Sequence, residues 1–250
     1  MTNPFLSADG ASRYAAGRPD VQPFVLERVR PFLKGTALGV DVACGTGQSS
    51  VALADLVDEV RAYDISAEML SHARPHQRVS YALSPAETLP LPDNCADVLT
   101  VFMAFHWFER ERFVPEARRV LNPGGVLAIC NSWFEGEMVG QPAFTDFLRT
   151  YFQRYPSADR DRRPFAEAEA MATGFSLHAE RFTQPISFNR DQLIAYLLTQ
   201  SNTINATDAG RETPEQVSAW LHENLAHLLL EGEVGEFVFG GEVKVLSPLA

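Results

Sequence analysis

Two rhythms alternate along the first 131 residues: short apolar runs of strand length, and stretches whose apolar positions recur at helical spacing. Residues 18–33 read as a helix, with Pro19 near its first turn and Gly35 after it. A compact apolar run at 37–42 follows and ends in a glycine-containing turn. Residues 48–57 then carry Val51, Leu53, Ala54 and Leu56 at helical spacing. The same exchange repeats with a strand at 59–64, a helix at 66–73 capped by Ser66, and a strand at 79–83. Residues 96–102 form a nearly continuous apolar strand, the pattern of a strand covered on both faces. A helix at 109–121 puts Phe113, Val114, Ala117, Val120 and Leu121 on one side. Asn122-Pro-Gly-Gly125 stops it, and 125–131 is the fifth strand. This order predicts an α/β fold, a parallel sheet with helices on both faces.

Beyond residue 131 the rhythm breaks. Residues 133–174 read as mostly helical, with a charged stretch at 159–163, and 177–188 as a long strand. Helices are expected at 191–200 and 213–230. Thr213-Pro-Glu-Gln216 opens the second with a capping-box pattern, and Val217, Trp220, Leu221, Leu225, Leu228 and Leu229 form its apolar stripe. A strand at 236–246 comes last. The expected organisation is an N-terminal helical segment (1–35), a binding core (36–132), and the remainder of the sheet (133–250) carrying helical cap insertions at about 133–174 and 189–231.

Composition narrows the class. The chain has 250 residues, 46% of them apolar, enough for a full core. Its formal charge of −11 argues against a nucleic-acid or anionic-membrane partner, since such surfaces are basic. No apolar run approaches a bilayer span, and Met1 to Gly10 carries no signal-peptide pattern. Cys44, Cys95 and Cys130 suit neither a disulfide frame nor a zinc cluster. His222 and His227 are five apart, on different helix faces, and Pro75 interrupts the pair His72 and His76, so no metal site is expected. A cytoplasmic protein acting on a small molecule is the expectation.

The chemistry concentrates at Val40-Asp-Val-Ala-Cys-Gly-Thr-Gly47, a strand-to-helix junction. Glycines at 45 and 47 allow close backbone approach to a ligand. Asp64, seventeen residues beyond Gly47, ends the next apolar strand, where a carboxylate accepts hydrogen bonds from a ribose diol. Two ligands suit such a junction. A dinucleotide favours a third glycine, where this chain has Ser50. S-adenosylmethionine carries no pyrophosphate and needs only the tight turn and the acid.

Four stretches in order resemble the class I S-adenosylmethionine-dependent methyltransferases. They are Asp41-Val-Ala-Cys-Gly-Thr-Gly47, Ala86-Glu-Thr-Leu-Pro-Leu-Pro-Asp93, Ala104-Phe-His-Trp-Phe108 and Ala117-Arg-Arg-Val-Leu-Asn-Pro-Gly-Gly125. The third of these, with the Tyr14…Arg18-Pro19 start, is similar to the branch of trans-aconitate methyltransferase and the type 11 methyltransferases. The resemblance covers about residues 12–131 and implies a doubly wound, Rossmann-like sheet of seven strands, mostly parallel with the last antiparallel. It implies that Asp41 and the turn of Ala43, Cys44, Gly45, Thr46 and Gly47 face the methionine part of S-adenosylmethionine. It assigns the ribose to Asp64, the adenine surroundings to Ile65, Met69, Ala86 and Glu87, and the inner pocket wall to Met103. Ala43 replaces a common first glycine, and Ser84-Pro85 replaces a common Gly-Asp pair.

A sulfonium makes its methyl group electrophilic, so positioning and exclusion of water supply much of the rate, and a base is needed only for a protonated acceptor. His106 is the candidate for that base or for orienting the acceptor, with a structural histidine as the alternative. Trp107, with its phenylalanine neighbours, reads as core and pocket wall, and Cys44 as a small buried residue. Tyr14 and Arg18 are lid or substrate candidates by resemblance, and Arg160, Arg162 and Arg163 either grip an acidic substrate or sit in solvent. Methyl transfer to a small acceptor, at a carboxylate or hydroxyl oxygen, is the expected function. A nicotinamide-dependent oxidoreductase and a non-catalytic binding protein are the alternatives, and oligomeric state stays open.

Overall fold

The computed structural model describes residues 8–156 and 163–249. Seven strands form one sheet in the order β3-β2-β1-β4-β5-β7-β6, with the last strand antiparallel. The chain divides into two compact units. Among the described residues, a sheet unit comprises 20–131, 163–181 and 242–249, and a helical unit comprises 8–19, 132–156 and 182–241.

The N-terminal segment departs from the single helix expected at 18–33. Helix α1 spans Ala8–Gly17, α2 only Gln22–Leu26, and a 3-10 turn covers Arg30–Phe32. Prolines explain the breakage: Pro19 follows α1, Pro23 sits in the first turn of α2, and Pro31 in that of the 3-10 turn. Each lacks the N–H that a continuous helix requires.

In the sheet unit, β1 (Leu38–Val42) leads into α3 (Gln48–Leu53), β2 (Glu59–Asp64) into α4 (Ala67–Ser71), and β3 spans Val79–Leu83. Strand β4 (Ala96–Phe102) precedes a 3-10 turn at Phe105–Trp107 and α5 (Arg110–Val120). Strand β1 pairs in parallel with β2 and β4, and β2 pairs in parallel with β3. Val40, Val42, Leu99 and Val101 are almost wholly buried, as expected for strands covered on both faces. Phe113, Val114, Ala117 and Val120 bury the inner face of α5 against them, the phenylalanine and the two valines each adding about 1.5–3 kcal/mol.

Strand β5 runs over Leu121–Met138, far beyond the expected 125–131 and into the stretch expected to be helical. Past residue 131 it alternates: Trp133, Glu135 and Glu137 are exposed, whereas Phe134 and Met138 pack on the core of the helical unit. That period of two is a strand signal, and Gly136 at its centre lowers helix propensity further. The rest follows as α6 (Phe144–Arg154), α7 (Glu167–Ala172), β6 (Phe175–Asn189), α8 (Arg190–Leu198), α9 (Ser201–Asp208), α10 (Pro214–Leu225) and β7 (Val234–Pro248). The core of the helical unit joins α6, α8 and α10 to Phe188, Phe237 and Phe239. Helix α9 has no counterpart in the expected elements.

Candidate functional site

Strand order reverses between β1 and β4, so their carboxyl ends flank the crevice where an open parallel sheet binds its ligand. The turn after β1 fills that position. Ala43, Gly45 and Gly47 all take left-handed backbone angles, with φ of 57°, 55° and 77°. Glycine accepts this freely, while Ala43 does so at a cost of about 1 kcal/mol. The Cys44 N–H donates to the Tyr63 carbonyl on β2 at 3.0 Å, and the Gly47 N–H closes the turn on the Cys44 carbonyl at 2.9 Å. The Cys44 side chain is buried, which pushes its thiol well up and leaves no thiolate nucleophile.

Asp41 lies directly beneath this turn, wholly buried. One carboxylate oxygen accepts the hydroxyls of Ser49 and Ser50, each at 2.6 Å, and the other accepts that of Thr100 at 2.8 Å. Thr100 is the register partner of Asp41 across β1 and β4. One carboxylate thus ties β1, β4 and the first turn of α3 together. Burial raises its pKa to about 6, against the lowering effect of the three hydroxyls.

Asp64 holds the other side of the turn. Its Oδ2 accepts the Gly45 N–H at 2.7 Å and its Oδ1 the Ser66 N–H at 2.8 Å. Burial raises its pKa, opposed by the backbone N–H groups of Ser66, Gly45 and Ile65. A carboxylate offers about four acceptor directions, so acceptor capacity remains beyond these three N–H groups. Ser66 caps α4 by accepting the Met69 N–H at 3.2 Å, and Met69 is buried with its methyl beside Gly45. Just past Asp64, Ile65 is 62% exposed; Leu83, the register partner of Asp64 on β3, is 60% exposed. Two bare aliphatic side chains beside a buried carboxylate suit a ligand with a flat apolar part and a diol. The Thr46 hydroxyl, buried in the turn, has no hydrogen-bond partner among the described residues. An orphaned buried hydroxyl is the kind of group a ligand satisfies.

The end of β4 supplies the next wall. Met103 follows it with a left-handed φ of 55° and its N–H on the Cys130 carbonyl at 2.9 Å. His106 and Trp107 share the 3-10 turn, their rings 4.7 Å apart, and both are partly buried. Phe105 anchors that turn inward, packing edge-on to Phe113 and Phe165. Arg110 is buried against the Phe105 ring and donates to the Arg163 carbonyl. Ala86 is buried, and Glu87 accepts the N–H of Glu109 at the start of α5, 3.0 Å away.

Tyr14 and Arg18 belong to the helical unit. There the Arg18 guanidinium lies 4.7 Å from the Tyr14 ring and 5.5 Å from that of Tyr196, and it donates to the Thr199 carbonyl. Of the basic stretch singled out in the sequence, Arg160 and Arg162 lie outside the described residues. Sequence reasoning missed Ser49, Ser50, Thr100, Tyr81 and Leu83. For Thr100 a signal existed, a hydroxyl inside an otherwise apolar strand; for Tyr81 none did.

Residues 40–129 match the family of the methyltransferase domain. An uncharacterised methyltransferase of Mycobacterium tuberculosis is 37% identical over 130 residues, 52% of this chain and 52% of that protein. A malonyl-[acyl-carrier protein] O-methyltransferase of Pectobacterium atrosepticum is 38% identical over 91 residues, 36% of each chain. This chain spans about half the length of the mycobacterial relative it matches. Among solved structures, a candidate type II methyltransferase of Anaeromyxobacter dehalogenans superposes with a TM-score of 0.69 at 26% identity, covering 89% of this chain and 94% of that one.

Proposed function

We propose that the chain is a class I S-adenosylmethionine-dependent methyltransferase, a reading supported by the match of residues 40–129 to the methyltransferase domain, and that it transfers a methyl group from S-adenosylmethionine to a small-molecule acceptor, at a carboxylate or hydroxyl oxygen. The observation that carries this reading is the left-handed turn of residues 43–47 pinned to Asp64 through Gly45. Bound there, the cofactor supplies an electrophilic sulfonium methyl.

The chain's own residues fit that ligand. Asp64 has acceptor capacity left for the ribose diol, and its backbone bonds hold it still. Ile65, Leu83 and Met69 offer aliphatic surface for adenine, beside Ala86 and Glu87. The orphaned Thr46 hydroxyl and the backbone of Ala43 to Gly47 take the amino-acid part, with Asp41 bracing the turn from below. Met103, His106 and Trp107 form the acceptor side. His106 orients the acceptor or takes its proton, a task for which imidazole suits near-neutral pH. Tyr14 and Arg18 keep the acceptor or lid role that the resemblance implies. The choice of oxygen is supported by the name of the Pectobacterium relative, an O-methyltransferase.

Isothermal titration with S-adenosylmethionine, S-adenosylhomocysteine and NADH tests the reading. Micromolar binding of the two sulfur ligands and none of NADH is expected. Binding of NADH alone overturns it in favour of hydride chemistry. A screen of carboxylic acids and phenols for methyl transfer then tests the acceptor.

A further inference from the structure

Tyr81 stands on β3, an edge strand, and was no part of the motif that marks the site. Its hydroxyl donates to the Arg74 carbonyl at 2.7 Å. The Arg74 N–H in turn donates to the Thr46 carbonyl at 3.0 Å. Two hydrogen bonds in series therefore run from β3, through the loop after α4, to the glycine turn. The same phenol lies against Gly47: a β-carbon there would collide with the Tyr81 hydroxyl and stand 2.9 Å from its Cζ. Gly47 is thus required twice, by its φ and by the ring above it. Burial, reinforced by the neighbouring Cys44 and Asp41, pushes the Tyr81 pKa up to about 12, so the hydroxyl keeps its proton and stays a donor. Phenylalanine would fill the same ring volume, so the oxygen has the specific task of gripping Arg74.

We infer that Tyr81 is a positioning residue of the cofactor turn, setting the place of the Thr46–Gly47 peptide through Arg74 while its ring limits how far Gly47 can move. Gly45 is held by Asp64 and Cys44 by Tyr63; Tyr81 acts on the part of the turn those bonds do not reach. The inference rests on the reading of this turn as the S-adenosylmethionine site.

Tyr81→Phe tests it. The variant keeps the ring and loses only the hydroxyl. Its affinity for S-adenosylhomocysteine, measured by titration well below the unfolding temperature, is expected to fall roughly fivefold to tenfold, the scale of one lost hydrogen bond. Amide hydrogen exchange is expected to speed up at residues 43–48 and 72–76 while β1 and β4 keep their protection. Unchanged affinity overturns the inference. So does weakened affinity with exchange faster throughout the sheet, which marks a merely structural tyrosine. If the wild type itself does not bind S-adenosylhomocysteine, the methyl-transfer reading fails, and the exchange comparison then judges by itself whether Tyr81 holds the turn.

Discussion

Two carboxylates flank the glycine turn, and their surroundings give them different work. Asp64 has backbone partners on one side and open acceptor directions on the other, whereas Asp41 is enclosed by three hydroxyls. Asp64→Ala removes charge-assisted bonds and unties Gly45, so affinity for S-adenosylhomocysteine should fall by roughly 2–4 kcal/mol, checked by titration. His106→Ala should leave that affinity within about twofold and reduce turnover by roughly a hundredfold or more, if the imidazole acts on the acceptor. Loss of both would make the histidine structural. Asp41 predicts a pH effect. Its folded pKa of about 6 lies above the ordinary 3.8, so the fold binds the proton more tightly than the unfolded chain does. The resulting stabilisation is full below the unfolded value and is lost as pH rises through 6; Asp64, also raised, adds in the same direction. Between pH 4.5 and 7.5 the wild type should lose about 2 kcal/mol of unfolding free energy relative to Asp41→Asn, measured by urea denaturation.

At the scale of elements, local signals were reliable where they were chemical. The Ser66 cap and the Thr213 capping box are both formed. The Thr213 hydroxyl accepts the Gln216 N–H at 3.3 Å, and Gln216 returns to the Thr213 N–H at 2.8 Å. Thr213→Ala should cost about 1 kcal/mol, seen in chemical unfolding and in faster exchange in the first turn of α10. Strands β2, β3 and β4 fall where the apolar runs predict them, at 59–64, 79–83 and 96–102. Helix α9, by contrast, was illegible. Its sequence Ser-Asn-Thr-Ile-Asn-Ala-Thr-Asp is poor in helix formers, and burial of Asn202, Thr203, Ile204 and Ala206 overrides that propensity. The extension of β5 was masked by Glu135, Gly136 and Glu137, residues that read as loop or helix surface until Phe134 stacks on Phe239.

Across the whole molecule, ligand binding at one turn has a distributed reading. A ligand at a hundred times its Kd adds about 2.7 kcal/mol to stability by mass action. Saturating S-adenosylhomocysteine should therefore raise the unfolding midpoint, with the largest added exchange protection at 43–47 and 64–69, where the turn, Asp64 and Met69 meet. Among the described residues no helix is long and apolar enough to cross a membrane, in keeping with the mixed composition.

The sequence by itself determined the parallel core and the location of its glycine turn. Both depend on short-range facts: apolar runs of strand length, glycines at 45 and 47, and an acid ending the next strand. Tertiary structure alone decided which groups hold that turn in place. Asp41 meets Thr100 across 59 residues only because β1 and β4 pair in one register. Tyr81 reaches Gly47 only because β3 lies outside β2. Such contacts are set by strand order and register, which depend on the burial of whole faces rather than on any local run of residues.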